Sequence, residues 1–108
     1  MGAMVTIKYD ASKVTDEETT VLARAIQEQA AEIMEEDDVF VYAEKALIII
    51  RADPIEVFIQ VNTHKVSDPA DLLGKVSKSL SAWKQQSNFM HSINLNVIPV
   101  EWHAKFGI

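Results

Sequence analysis

The stretch Ala46-Leu47-Ile48-Ile49-Ile50-Arg51-Ala52-Asp53-Pro54-Ile55-Glu56-Val57-Phe58-Ile59-Gln60-Val61-Asn62 decides the architecture, because it holds two strand-like runs with a break between them and no room for a helix. Ala46 to Ile50 is uninterrupted, apolar and rich in branched residues, which suits a strand covered on both faces. It reads as the end of one strand running from Val39 to Ile50. Pro54 lacks a backbone donor and pushes Asp53 toward an extended conformation, so Arg51-Ala52-Asp53-Pro54 breaks that strand. From Glu56 to Asn62 the residues Val57, Ile59 and Val61 alternate with less apolar ones, the period of a strand with one buried face.

Outward from this pair of strands the chain repeats itself. On the N-terminal side, Thr15-Asp16-Glu17-Glu18 is a capping-box sequence with three acids at the positive end of a helix dipole. It opens a helix from Asp16 to Met34 whose Leu22, Ile26, Ala30 and Ile33 form one apolar stripe. Before it, Val5, Ile7 and Tyr9 alternate with Thr6 and Lys8, a strand from Met4 to Tyr9. Met1-Gly2-Ala3 resembles an expression-vector remnant, so residues 1–3 are set aside and 4–108 are read as a single domain. On the C-terminal side, Asp68 and Pro69 start a helix from Pro69 to Gln85, with Leu72, Val76, Leu80 and Trp83 on its buried stripe. Ile93 to Val100 is the last strand, and Pro99 ends its clean pairing or places it at an edge. The expectation is an α+β fold of order βαββαβ, two βαβ units, with a four-stranded sheet carrying both helices on one face.

Composition narrows the function. The chain has 108 residues, room for one domain, and 48% of them are hydrophobic. That is generous for so small a body and points to apolar surface meant for another subunit. A net charge of -6 argues against nucleic acid and anionic membranes as partners. There is no cysteine, which excludes disulfides and thiolate chemistry. No apolar run approaches a bilayer span, and a cytoplasmic location is expected. Glu35-Glu36-Asp37-Asp38 lacks the ligand spacing and central glycine of a calcium loop and reads as a solvated turn. His64, His91 and His103 have no metal-helix spacing, and three glycines leave no phosphate loop. Neither a metal nor a cofactor is expected.

Three stretches carry a family resemblance: Met4-Val5-Thr6-Ile7-Lys8-Tyr9, Pro54-Ile55-Glu56-Val57-Phe58-Ile59-Gln60-Val61, and Val97-Ile98-Pro99-Val100-Glu101-Trp102-His103-Ala104-Lys105-Phe106-Gly107-Ile108. In their order and spacing the chain resembles the tautomerase superfamily, in particular the branch that includes 5-carboxymethyl-2-hydroxymuconate isomerase-like proteins. The resemblance implies two βαβ units, a homotrimer, and a keto-enol tautomerase or isomerase acting on a small carboxylated substrate. It also implies a catalytic proline directly after the initiator methionine. Here Val5 holds that place, so an amine is offered only if Met4 is removed, and activity is expected to be weak or absent.

The candidate site residues follow from that resemblance and from there being only two arginines, Arg24 and Arg51. Arg51 follows the apolar run and either rims a pocket, where its planar guanidinium suits a carboxylate, or pairs with Asp53 or Glu56. Lys8 either helps to hold the substrate or is an exposed strand lysine. Trp102, His103 and Phe106 close the chain as pocket wall or as packing between subunits. The other function class is a non-catalytic, ferredoxin-like binding or oligomerisation module built on the same element order.

Overall fold

The capping residues set both helices in the computed structural model, which describes residues 2–108. Thr15 Oγ1 accepts from the Glu18 amide at 3.0 Å and Glu18 Oε1 accepts from the Thr15 amide at 2.9 Å, so α1 (Asp16–Met34) starts on a closed capping box. Asp68 accepts from the Asp71 amide at 3.0 Å and Pro69 takes the first turn of α2 (Pro69–Ser87). The helices end at Glu35 and Asn88, both in the left-handed conformation with φ of 55° and 56°. Second-helix length exceeds the expected Gln85 by two residues, which Asn88 accounts for as the cap.

The strands are β1 (Ala3–Tyr9), β2 (Val39–Lys45), β3 (Ile55–Asn62) and β4 (Asn94–Val100). They lie in the order β2-β1-β3-β4, with β1 parallel to β2, β1 antiparallel to β3, and β3 parallel to β4. Each helix thus joins two strands that are direct neighbours. A ferredoxin-like sheet is built from split βαβ units, so this order goes against that alternative. β4 lies at an edge, which is where Pro99 is tolerated.

Both helices pack on one face. Val5, Ile7, Val57, Ile59 and Val61 are fully buried beneath Leu22, Ile26, Leu72, Val76 and Leu80, with Ile33 and Trp83 partly buried at the margin. The intervening Met4, Thr6, Lys8, Glu56, Phe58 and Gln60 point to the opposite, open face. Among the described residues no helix is long and apolar enough to cross a membrane.

Two boundaries correct the sequence reading. β1 begins at Ala3, which is buried and paired with Val39 and Val61, so a residue set aside from the fold belongs to its core. The strand expected from Val39 to Ile50 stops at Lys45. β1 ends at Tyr9, opposite Lys45, and the Ala46 amide makes the last bond, 2.9 Å to the Tyr9 carbonyl. Beyond that point there is no neighbour to pair with, and residues 46–54 leave the sheet. Instead of being covered on both faces, Leu47, Ile48 and Ile50 are 96%, 81% and 97% exposed in the protomer.

The start of α1 is tied to this end of the sheet. Tyr9 donates its hydroxyl to Asp16 Oδ1 at 2.8 Å, and Lys45 Nζ lies 3.0 Å from Asp16 Oδ2. Lys45 first, then the Tyr9 hydroxyl, hold the Asp16 carboxyl below the usual carboxylate range. Burial first, then the Asp16 charge, push the Tyr9 phenol up.

Leu22→Ala is expected to cost about 3 kcal/mol in chemical denaturation, since it opens a cavity under the centre of the sheet. A loss below about 1 kcal/mol would contradict this packing. A depressed carboxyl adds stability above its unfolded pKa of about 3.9 and loses it as pH falls through the lower folded value. Asp16→Asn should therefore lower stability at neutral pH, and the gap to the wild type should close as both are titrated below about pH 4. A gap unchanged down to pH 2 would show that Asp16 is not held this way.

Candidate functional site

Where β1 and β2 end and β3 begins, residues 46–54 cross the end of the sheet and enclose a cleft of about 190 Å³. Lys8 enters it from the open face of β1 and Arg51 from the loop, while Ile48, Ile49 and Phe58 supply apolar wall. Tyr9 also lines it, with its hydroxyl already committed to Asp16. Three acids, Asp10, Asp53 and Glu56, complete the charged lining.

The hydrogen bonds of these groups differ by sign of charge. Asp10 Oδ1 accepts from the Ser12 hydroxyl at 2.7 Å and the Ser12 amide at 3.0 Å, bonds that hold its carboxyl below the usual range. Asn94 Nδ2 lies 2.6 Å from Asp53 Oδ2 and 2.8 Å from Glu56 Oε1. All three acids are engaged. Among the described residues, neither Lys8 nor Arg51 makes an ion pair or a side-chain hydrogen bond. Arg51 is thus not paired with Asp53 or Glu56, one oxygen of each of which accepts from Asn94. Two open cations stand against an apolar wall with three acids beside them, so a small anion with an apolar body could be held only at the cations, away from those carboxylates.

The remaining candidates lie elsewhere. Val5 is fully buried in β1 between Val41 and Ile59, with its side chain in the core. It lies three positions before Lys8 on the same strand, roughly 10 Å of extended chain, and its nitrogen is a peptide amide in this sequence. Trp102, His103 and Phe106 follow β4, whose Val100 pairs with Asn62 at the Ala3 end of the sheet. There Asn62 Nδ2 donates to the Trp102 carbonyl at 3.2 Å, while His103 and Phe106 are exposed. The protomer therefore unites Lys8 with Arg51 and sets them roughly 20 Å, the length of a seven-residue strand, from the C-terminal aromatics.

Two features escaped the sequence reading. Asn94 drew no notice within the last strand expected from Ile93 to Val100. His91 lacked a partner at metal-helix spacing, yet its Nε2 lies 2.8 Å from Glu18 Oε2 and its ring stands edge-on to Phe89. That contact fastens the segment before β4 to the start of α1. With the Thr15 amide as the larger cause, it holds the Glu18 carboxyl below the usual range.

No protein-family model matches the sequence, and no curated protein matches it. Solved structures do match in fold. A malonate semialdehyde decarboxylase superposes with a TM-score of 0.68 at 9% identity over 97% of this chain and 91% of its own. A 5-carboxymethyl-2-hydroxymuconate delta-isomerase gives 0.61 at 12% identity over 98% of this chain and 89% of its own. A fused wild-type 4-OT, an asymmetric trimer, gives 0.62 at 12% identity over 97% and 91%. Identities this low speak to fold alone, and on that ground the chain carries the two-βαβ fold of the tautomerase superfamily.

Proposed function

We propose that this is a tautomerase-like protein that binds a small carboxylated keto-enol ligand between Lys8 and Arg51 and, in its present form, isomerises it weakly or not at all. The observation that carries the reading is the pair of cations left without partners beside an apolar wall, within a fold shared by isomerases and decarboxylases. Arg51 would take the carboxylate in its planar fork, Lys8 would draw charge onto the carbonyl oxygen, and Ile48, Ile49 and Phe58 would seat the apolar remainder. Proton transfer from the carbon beside that carbonyl needs a base with a pKa near working pH. An α-amino group, about 7.7 to 8.0 when unperturbed, meets the need. The Val5 nitrogen, as a peptide amide, does not.

Assembly supplies the second half of the reading. A homotrimer would cover the open sheet face, where Phe40, Tyr42 and Ile98 are exposed, together with the apolar residues of 46–50. Residues at opposite ends of one sheet meet most simply when one end of a protomer is laid against the other end of the next. In such a ring Trp102, His103 and Phe106 would wall a neighbour's cleft. A cytoplasmic location without cofactor, nucleic acid or membrane accords with the absence of cysteine and the net charge of -6.

Sedimentation at tens of micromolar should give about three times the 12.1 kDa chain mass. A monomer would contradict the covered face and with it the shared site. A chain begun at position 5 with Val5→Pro should isomerise phenylpyruvate at least tenfold faster than the unmodified chain, about 1.4 kcal/mol of barrier, if assembly brings that amine, roughly 10 Å from Lys8 in its own protomer, to a neighbour's cleft. The first position of a strand tolerates proline. Robust turnover by the unmodified chain would show that another group is the base, and no gain on substitution would indicate a pocket that binds without catalysing.

A further inference from the structure

Glu56 has two side-chain neighbours across the open face. Lys8 stands opposite it in the β1–β3 ladder, with Glu44 on its other side in the β1–β2 ladder and not bonded to it, and Asn94 stands opposite Glu56 in the β3–β4 ladder. Opposite charges in directly facing positions ordinarily pair. Here Glu56 instead accepts from Asn94 Nδ2 at 2.8 Å, and the same nitrogen reaches Asp53 at 2.6 Å. A side-chain amide has two N–H donors, one for each carboxylate. The reverse orientation would set the amide oxygen against two further acceptors, so the hydrogen-bond network itself assigns the nitrogen.

We infer that Asn94 is a positioning residue: by occupying the carboxylates of Glu56 and Asp53, it keeps Lys8 and Arg51 open for the ligand carboxylate. The inference rests on the proposed carboxylate site and adds what holds two of the acids that line it away from its cations. Without Asn94, Glu56 turns to the lysine it already faces and Asp53 is released beside Arg51, two residues away in sequence. A ligand carboxylate must then displace an internal partner before it can bind. No covalent step is involved, and Asn94 need not touch the ligand.

The test is calorimetric titration at pH 7 with phenylpyruvate, which carries one carboxylate and a ring for the Ile48, Ile49 and Phe58 wall. Four chains are compared: wild type, Asn94→Ala, Glu56→Gln, and the double variant. Asn94→Ala should weaken binding about fivefold, the scale of one partly exposed ion pair that the ligand must break. Glu56→Gln added to Asn94→Ala should recover the part of the loss due to Glu56, because a neutral side chain cannot quench Lys8, while the released Asp53 still competes for Arg51. A merely structural Asn94 would give a double variant no better than Asn94→Ala, which overturns the inference. Unchanged affinity in Asn94→Ala also overturns it while leaving the carboxylate site standing. No binding by the wild type, or binding indifferent to Lys8→Met and Arg51→Met, removes the site and the inference together. Should Asn94→Ala fail to fold, Asn94→Ser keeps a single shorter donor and should show a smaller loss; wild-type affinity there is equally decisive against the role.

Discussion

Both helices cover the same face of the sheet, and the rest of the structure depends on that one-sidedness. Each strand has a dry side, where Val5, Ile7, Val57 and Ile59 meet the helices, and a side left to water or a partner. On the dry side the requirements are apolarity and shape, which the branched residues of β1 and β3 meet. On the open side Lys8, Glu56 and Asn94 sit abreast across three strands, and their polar and charged groups must satisfy one another or a ligand. The cleft at the end of β1 arises because this open row meets the loop that leaves the sheet.

What could be read from the sequence was what depends on near neighbours along the chain. Thr15 with Glu18, and Asp68 with Pro69, declare their helices within four residues, because a cap answers backbone groups one turn away. The alternation of Val57, Ile59 and Val61 declares a strand with one wet face. The run Ala46 to Ile50 misled for an equally physical reason. Branched apolar residues indicate that something covers them, but they do not say whether it is the same chain. A strand also needs a partner of equal length, and β1 ends at Tyr9. The contacts that define the cleft were beyond reach: Asn94 meets Glu56 across 38 residues and Asp53 across 41, and His91 meets Glu18 across 73.

The division of the candidate residues bears on chemistry. Lys8 and Arg51 come together, whereas Val5 is sealed in the core and Trp102 lies at the far end of the sheet. A fold shared with a decarboxylase and an isomerase supplies a scaffold, and the reaction is decided by a few side chains placed on it. On the function proposed above, Lys8 and Arg51 would be the binding half of such a site, and a proton-transferring half would have to come from the N-terminus and from how copies assemble.

The central claim is that a carboxylate ligand lodges between Lys8 and Arg51, and the most direct measurement is an amide chemical-shift map during titration with phenylpyruvate. The account predicts saturable shifts that centre on Lys8, Ile49, Arg51 and Phe58, with little movement on the outer faces of α1 and α2. Shifts confined to Trp102 and the Ala3 end of the sheet, or none at all, would contradict it.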